Sequence, residues 1–148
     1  MGRYPGEPEL PFFVYGTLRP GQVNHDLFLH GRTLREEPAR LPGAVLYDGP
    51  GYPYAVEAPG EAGATVAGDL VTARPEEYAR LLDELDRLEE YAPGDPHNLY
   101  ERVAREVTRP AADAAPVRAW VYVAAPAVAV RLRVRGKPID GGDWLTRR

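Results

Sequence analysis

The stretch PFFVYGTLRPG, residues 11–21, decides where the core of this chain begins. From Pro11 to Tyr15 it is a nearly continuous apolar run, which is typical of a buried strand. Gly16 ends the run and predicts a tight turn. Backbone amides in such a turn can point inward together and bind a carboxylate or phosphate. A glycine after a strand is more often a simple turn, and neither nucleotide-binding pattern, GxGxxG or GxxxxGK[ST], is present.

Farther along the chain, apolar runs and turn residues predict the next elements in the same way. A short helix is expected over residues 24–34 and a second strand over residues 41–47, before the turn sequence DGPG. A third apolar stretch, residues 64–72, precedes Pro75. Proline suits the first turn of a helix, which is expected to continue to about Tyr91.

The C-terminal half has the alternation of apolar and polar residues that is typical of strands. Three strands are expected, over residues 102–107, 117–124 and 128–135, with a proline- and alanine-rich loop over residues 109–116 between the first two. In the last of them, three arginines would lie on one face of the strand. The chain is therefore predicted to form a strand-rich α+β domain with one main helix.

Composition limits the possible functions. The chain has 148 residues, of which 44% are hydrophobic, enough for one core and one domain, with residues 1–10 as a flexible extension. It has 22 acidic and 18 basic residues and a net charge of -4, which does not favour nucleic acid as a partner. No cysteine is present, which excludes disulfides and a thiolate nucleophile. No signal-peptide pattern or membrane-length apolar run occurs, so a cytoplasmic protein without membrane attachment is expected.

The predicted main helix carries one carboxylate on its buried side. On a wheel of about 100° per residue, an apolar stripe roughly 120° wide contains Tyr78, Leu81, Leu82, Leu85 and Leu88. Of the seven acidic residues between Glu76 and Glu90, only Glu89 falls inside that stripe. A carboxylate on a buried face must be paired or protonated, and partial burial raises its pKa toward that of a general base. The alternatives are that Glu89 reaches water at a frayed helix end or pairs with Arg102.

Two strings together resemble the paired signatures of the gamma-glutamylcyclotransferase-like superfamily. They are YGTLRPGQVNH at residues 15–25 and LDRLEEY at residues 85–91, the latter followed by YER at residues 100–102. The first is similar to the form found in gamma-glutamylamine cyclotransferases. The likeness extends to GYP, AWVYV and GDW at residues 51–53, 119–123 and 142–144. The resemblance implies a small mixed β-barrel with flanking helices and an enzyme that needs no cofactor.

The resemblance also implies the site and the reaction. Glu89 would be the catalytic acid/base, and the substrate-binding residues would be Tyr15, Gly16, Thr17 and Leu18, together with Tyr100, Arg102 and Tyr122, which would either touch the substrate or only frame the cleft. The implied reaction releases 5-oxoproline from a small gamma-glutamyl amine or peptide by attack of its α-amine on its own γ-carbonyl. One departure stands out, because the glycine that follows the family's catalytic glutamate is Glu90 here. A second carboxylate could raise the pKa of Glu89 or weaken affinity for an anionic substrate.

Two other functions compete with this interpretation. One is a non-catalytic ligand-binding or interaction module of the same fold. The other is a nucleic-acid binder that uses Arg131, Arg133 and Arg135, although arginines alternating along a strand more often form a solvated face. No metal site is expected, since the three histidines lack the i, i+4 spacing of a helical metal pair. Residues 48–60, at the mouth of the expected cleft, are candidates for choosing the leaving group.

Overall fold

A computed structural model describes residues 9–61, 63–111 and 114–147. Of the predicted flexible extension, only Glu9 and Leu10 fall within these ranges, and residues 1–8 lie outside them. In chain order, the strands and α-helices are β1 (Phe12–Val14), β2 (Thr33–Pro42), β3 (Ala44–Tyr47), β4 (Tyr54–Glu57), β5 (Thr65–Ala73), α1 (Tyr78–Leu88), β6 (Tyr100–Val107), β7 (Val117–Ala124) and α2 (Pro126–Arg135).

The apolar run at the start of the chain forms the central strand of the main sheet. The strand order is β2-β5-β1-β7-β6, with β1 antiparallel to β5 and parallel to β7. Successive side chains of a strand point to opposite faces. Accordingly, Phe12 and Val14 join the core cluster that contains α1, whereas Phe13 and Tyr15 join a second cluster on the other face. The prediction of a buried strand is confirmed.

The main sheet curls toward a barrel that does not close. Its two edge strands meet where Arg40 and Thr108 exchange backbone hydrogen bonds, each with an N···O distance of 2.9 Å. No continuous ladder joins β2 to β6 in the described residues. A separate hairpin of β3 and β4 packs beside this sheet. The predicted α+β class is confirmed, and the β-barrel is an open one.

The main helix begins as the sequence predicts and ends earlier. A single 3-10 turn, Pro75–Glu77, leads into α1. The predicted apolar stripe is confirmed by the burial of Tyr78, Leu81, Leu82 and Leu85. The helix stops at Leu88 rather than near Tyr91, because Glu90 takes a left-handed backbone conformation with φ of 53°.

The strand predicted over residues 128–135 is wrong, because this segment is the helix α2. Pro126 occupies its first turn, a position that proline favours. The alternating apolar residues also satisfy an i, i+4 spacing, so that Val128 is buried and Leu132 partly buried while Val130 is 59% exposed. The arginine face proposed for nucleic acid therefore does not exist as a strand surface.

Two earlier boundaries also need correction. Within residues 24–34, only His25–Leu29 is helical, as one π-helical turn, and β2 has already begun at Thr33. The strand expected over residues 41–47 is divided at Gly43, whose φ of 72° turns the chain from the main sheet into the hairpin. Glycine adopts that conformation without steric cost. In the described ranges, no helix has the length and apolar character needed to cross a bilayer.

Candidate active site

A small cavity of about 50 Å³ lies at the C-terminal end of β1, where the first turn, the loop before β4 and the end of α1 meet. It contains seven of the eight predicted site residues: Tyr15, Gly16, Thr17, Leu18, Glu89, Tyr100 and Tyr122. The eighth, Arg102, does not line it. Tyr52 and Pro53, from the segment predicted at the cleft mouth, complete the wall together with Phe13 and Val14. Segments far apart in sequence thus meet in one concave site.

The turn after β1 is held in place while several of its amides stay unpaired. The carbonyls of Gly16 and Thr17 accept hydrogen bonds from the amides of Arg19 and Asn24, both at 3.1 Å. Among the described residues, the amides of Gly16, Thr17 and Leu18 donate to no protein acceptor. Consecutive free amides at the end of a buried strand are suited to bind an anionic group.

The shape of this turn is also fixed by its close approach to Pro53 and by the hydrogen bonds of Arg19. A Cβ added at Gly16 would lie 2.8 Å from Cδ of Pro53, so glycine is required for the turn to approach the opposite wall. The guanidinium of Arg19 donates to Asp69 in β5 and to Asp143 near the C-terminus, both at 2.8 Å. These charge-assisted bonds tie the turn to the sheet.

The carboxylate of Glu89 enters the cavity from the end of α1. Its amide still donates to the carbonyl of Leu85 at 3.0 Å, so helical geometry carries the side chain onto the buried face. In the described part of the chain, this partly buried carboxylate has no hydrogen-bond or ion-pair partner. Burial raises the pKa of Glu89 to about 7. A group with this pKa can accept and return a proton near neutral pH.

Tyrosines frame the cavity and remain protonated. The hydroxyl of Tyr100 donates to the carbonyl of Pro53 at 2.8 Å, and its ring stacks on Tyr54 with centroids 4.8 Å apart. The hydroxyl of Tyr15 donates to the carbonyl of Tyr122 and accepts from the amide of Ala55. Burial raises the pKa of Tyr15, Tyr100 and Tyr122, with the charge of Glu89 adding to each shift. These rings therefore form a neutral wall around the carboxylate.

A second carboxylate near the site, Asp86, was not predicted from the sequence; it is only 2% exposed. Its Oδ1 accepts from the Tyr122 hydroxyl at 2.6 Å and from Nε of Arg102 at 2.9 Å. The Arg102 guanidinium also lies over the ring of Trp120, 4.4 Å from its centroid. Arg102 is thus engaged by Asp86, and the alternative that it pairs with Glu89 is not seen. The feature of the sequence from which Asp86 could have been predicted is its place in the LDRLEEY string, next to Leu85.

None of the three histidines lines the cavity. His25 contacts Glu36 through Nε2 at 2.7 Å, and His97 lies 3.3 Å from Asp95. Over residues 9–61, 63–111 and 114–147, no group of three or more histidine or carboxylate side chains is arranged to hold a metal ion. Among the described residues that line the cavity, Glu89 is the one carboxylate.

Comparison with known proteins shows the family of this chain. Residues 12–146 match the family model described as "Gamma-glutamyl cyclotransferase, AIG2-like". The chain is 34% identical over 113 residues to the gamma-L-glutamyl-butirosin B gamma-glutamyl cyclotransferase of Niallia circulans. The match covers 75% of this chain and 64% of that protein, so the chain spans less than two thirds of its relative.

Two solved structures share the fold. An AIG2-like protein from Mus musculus has a TM-score of 0.61 and 26% identity, with 80% of each chain covered. An uncharacterized protein from Pyrococcus horikoshii has a TM-score of 0.57 and 22% identity, covering 91% of this chain and 89% of that one. Because the family model extends over nearly all of the chain, this protein belongs to the AIG2-like gamma-glutamyl cyclotransferase family.

Proposed function

We propose that this protein is a gamma-glutamyl cyclotransferase that releases 5-oxoproline from a gamma-glutamyl amine or peptide. Glu89 acts first as general base and then as general acid. The observation that carries this proposal is the unpartnered, partly buried carboxylate of Glu89, with a pKa of about 7, beside a turn whose amides are free. Its acidity suits proton transfer in both directions near neutral pH.

The turn after β1 is proposed to hold the α-carboxylate of the gamma-glutamyl group. The free amides of Gly16, Thr17 and Leu18 supply three donors without a positively charged side chain. With the α-carboxylate there, the adjacent α-ammonium group can face Glu89 across the same small cavity. The buried tyrosine wall keeps water away and strengthens the attraction between these charges.

Arg102 is proposed to position the site rather than to touch the substrate. It lies behind the wall, where it donates to Asp86, and Asp86 in turn accepts from the hydroxyl of Tyr122. Tyr122 and Tyr100 direct their hydroxyls toward protein acceptors, so their rings form the walls. Of the two roles that the resemblance leaves open for Arg102, substrate contact and framing of the cleft, this arrangement favours framing.

The reaction moves two protons from the attacking nitrogen to the leaving nitrogen and exchanges one carbon-nitrogen bond for another. Glu89 removes a proton from the α-ammonium group, and the resulting amine attacks the γ-carbonyl carbon of its own chain. A carbon-nitrogen bond closes the five-membered lactam as the bond to the leaving nitrogen breaks. Glu89 gives its proton to that nitrogen, and the second proton lost by the attacking amine completes the departing ammonium. Because both reacting groups belong to one molecule, positioning supplies much of the acceleration.

The relative from Niallia circulans supports the gamma-glutamyl half of the substrate. Its name specifies a gamma-L-glutamyl conjugate and cyclotransferase activity. We carry over only that half, since the leaving half depends on residues beyond the turn and Glu89. The cavity is consistent with treating the two halves of the substrate separately, because it is lined by the residues that we propose to hold the glutamyl group.

The direct test is the substitution Glu89→Gln. The γ-glutamyl conjugates of n-pentylamine and of alanine are incubated with each protein, and 5-oxoproline is quantified. Loss of a general acid/base predicts a fall in kcat of about 10²–10⁴-fold. Glu76→Gln, an exposed glutamate before the start of α1, is the matched control and should retain turnover.

Thermal unfolding of both variants establishes that they are folded. Retained turnover by folded Glu89→Gln would contradict the role of Glu89. If the unsubstituted protein binds both conjugates and releases no 5-oxoproline, the activity itself is wrong and a ligand-binding module is supported.

A further inference from the structure

A second cavity, of about 140 Å³, adjoins the inner one at Glu89. The two cavities share Thr17, Tyr52, Glu89 and Tyr100. In the proposed reaction the leaving nitrogen must lie beside Glu89, which returns a proton to it. Whatever is attached to that nitrogen therefore extends beyond Glu89, and this larger outer cavity is the space that adjoins it.

The outer cavity adds four residues of distinct character: Asn24, Leu88, Glu90 and Leu99. Leu88 is partly buried and Leu99 is 39% exposed, so they give the cavity an apolar component. Its charged lining residues are Glu89 and Glu90, and it has no lysine, arginine or histidine among the described lining residues. The side-chain amide of Asn24 already donates a hydrogen bond from Nδ2 to the hydroxyl oxygen of Thr17, at 2.8 Å. The cavity thus combines apolar walls with a negative potential.

Glu90 has no evident structural reason to be a glutamate. Its backbone is left-handed, with φ of 53°, a conformation that L residues rarely adopt and glycine adopts freely. Its side chain is exposed and forms no ion pair within the described ranges. Glu90 does, however, line the outer cavity together with Glu89.

We infer that the outer cavity receives the leaving half of the substrate and that Glu90 favours a leaving group with a second, distal positive charge. This inference rests on the proposed function. A methylene chain ending in an ammonium group matches the cavity, because the chain packs on Leu88 and Leu99 while the ammonium approaches the carboxylate. An anionic leaving group of the same length would be repelled.

The test uses three γ-glutamyl conjugates of matched length, those of 1,4-diaminobutane, n-pentylamine and 5-aminopentanoate. Beyond the γ-amide nitrogen, they carry a distal positive, neutral or negative end on the same four-methylene chain. We expect kcat/KM for 5-oxoproline release to fall in that order, with the cationic conjugate about fivefold above the neutral one, the scale of a solvent-accessible ion pair. The preference should shrink as ionic strength rises.

Three variants assign the preference to Glu90. In Glu90→Gln the cationic-to-neutral ratio should approach one, and in Glu90→Lys the anionic conjugate should become the favoured substrate. Glu90→Gly, which suits the left-handed backbone, should behave as Glu90→Gln. Glu76→Gln removes the same charge away from both cavities and should keep the original ratio.

The outcomes separate this inference from the proposed function. Turnover of all three conjugates at equal kcat/KM, or an unchanged ratio in Glu90→Gln, overturns the role of Glu90 and leaves the cyclotransferase proposal standing. If the unsubstituted protein releases 5-oxoproline from none of them, the proposed function is wrong and this inference falls with it.

Discussion

Two carboxylates three residues apart at the end of α1, Asp86 in its last turn and Glu89 just after it, have opposite surroundings. Asp86 is buried and bonded to Arg102 and Tyr122. Glu89 is partly buried and, in the described chain, unpartnered, and its pKa is raised to about 7. Burial with partners stabilises a charge, whereas burial without them makes the proton mobile. We therefore propose a structural role for Asp86 and a chemical role for Glu89.

The largest expected effect is on the structural member of this pair. Asp86→Asn keeps the shape of the side chain and removes the negative charge opposite Arg102, whose side chain is 3% exposed. Breaking a buried ion pair is expected to lower the free energy of unfolding by about 3–5 kcal/mol. Urea denaturation measures the change.

A double-mutant cycle with Arg102→Met isolates the interaction between these two residues. The double variant should recover part of the loss, because no buried charge is then left uncompensated. Strictly additive losses would show that the two side chains do not stabilise each other, and the distinction between Asp86 and Glu89 would fail.

The reactive member should instead make stability depend on pH. The pKa of Glu89 is raised from 4.5 to about 7, so the folded state binds its proton more tightly than the unfolded state. Its stabilising contribution is complete below pH 4.5 and is lost as the pH rises through 7. The total is about 3 kcal/mol, from about 1.4 kcal/mol per pKa unit.

This contribution is measured as a difference between two proteins. The free energy of unfolding of the unsubstituted protein minus that of Glu89→Gln should fall by about 3 kcal/mol between pH 4.5 and pH 8. Subtraction removes the titration of the other carboxylates. A flat difference across this interval would mean that the Glu89 carboxyl is not desolvated.

The rate of 5-oxoproline release should also depend on pH. It should rise with pH around 7, because Glu89 must be ionised to accept a proton.

The sequence predicted one of these carboxylates and missed the other for a physical reason. Glu89 falls inside the apolar stripe of an ideal helix, whereas Asp86 lies about 40° outside its edge. Asp86 is buried because Arg102 in β6 and Tyr122 in β7 cover it, and these contacts depend on tertiary structure. Local periodicity identifies the face of a helix, but it does not identify what packs against its margin.

The same limit explains which elements were predicted correctly. The run before Gly16 is too short for a helix and ends at a glycine, and the stripe of α1 fits helical spacing, so both elements were predicted correctly. Alternating valines over residues 128–135 satisfy a strand and also place Val128 and Leu132 one helical turn apart. Only Pro126, at the first turn of α2, favoured the helix. The free amides after β1 required the structure, because turn sequences do not show which donors remain unpaired.

A smaller effect is expected at the wall opposite Glu89. In Gly16→Ala the added Cβ would lie 2.8 Å from Cδ of Pro53, so the turn or the proline must shift. We expect a loss of about 1–2 kcal/mol in the free energy of unfolding. We also expect a roughly tenfold rise in KM, the equivalent of about 1.4 kcal/mol, because the amides of the turn move.

Gly60→Ala is the matched control, since nothing lies within 4 Å of a Cβ added there. Stability and 5-oxoproline release are measured for both variants. If Gly16→Ala has the KM of the unsubstituted protein, the turn does not hold the substrate. Asp86 provides the contrast, because its substitution should lower stability more than it alters KM.

The smallest effect concerns the residue that ends the helix after Glu89. Glu90→Gly should raise the free energy of unfolding by about 0.5–1 kcal/mol, because glycine relieves the left-handed backbone and gives back part of that gain as greater freedom in the unfolded chain. Glu90→Gln removes the same charge and keeps the strained backbone, so it should leave stability nearly unchanged. Thermal unfolding of the two variants side by side makes the comparison. Equal stabilisation by both variants would assign the effect to the loss of charge repulsion between Glu90 and Glu89. The surroundings of Glu89 would then include the charge of Glu90 as well as burial.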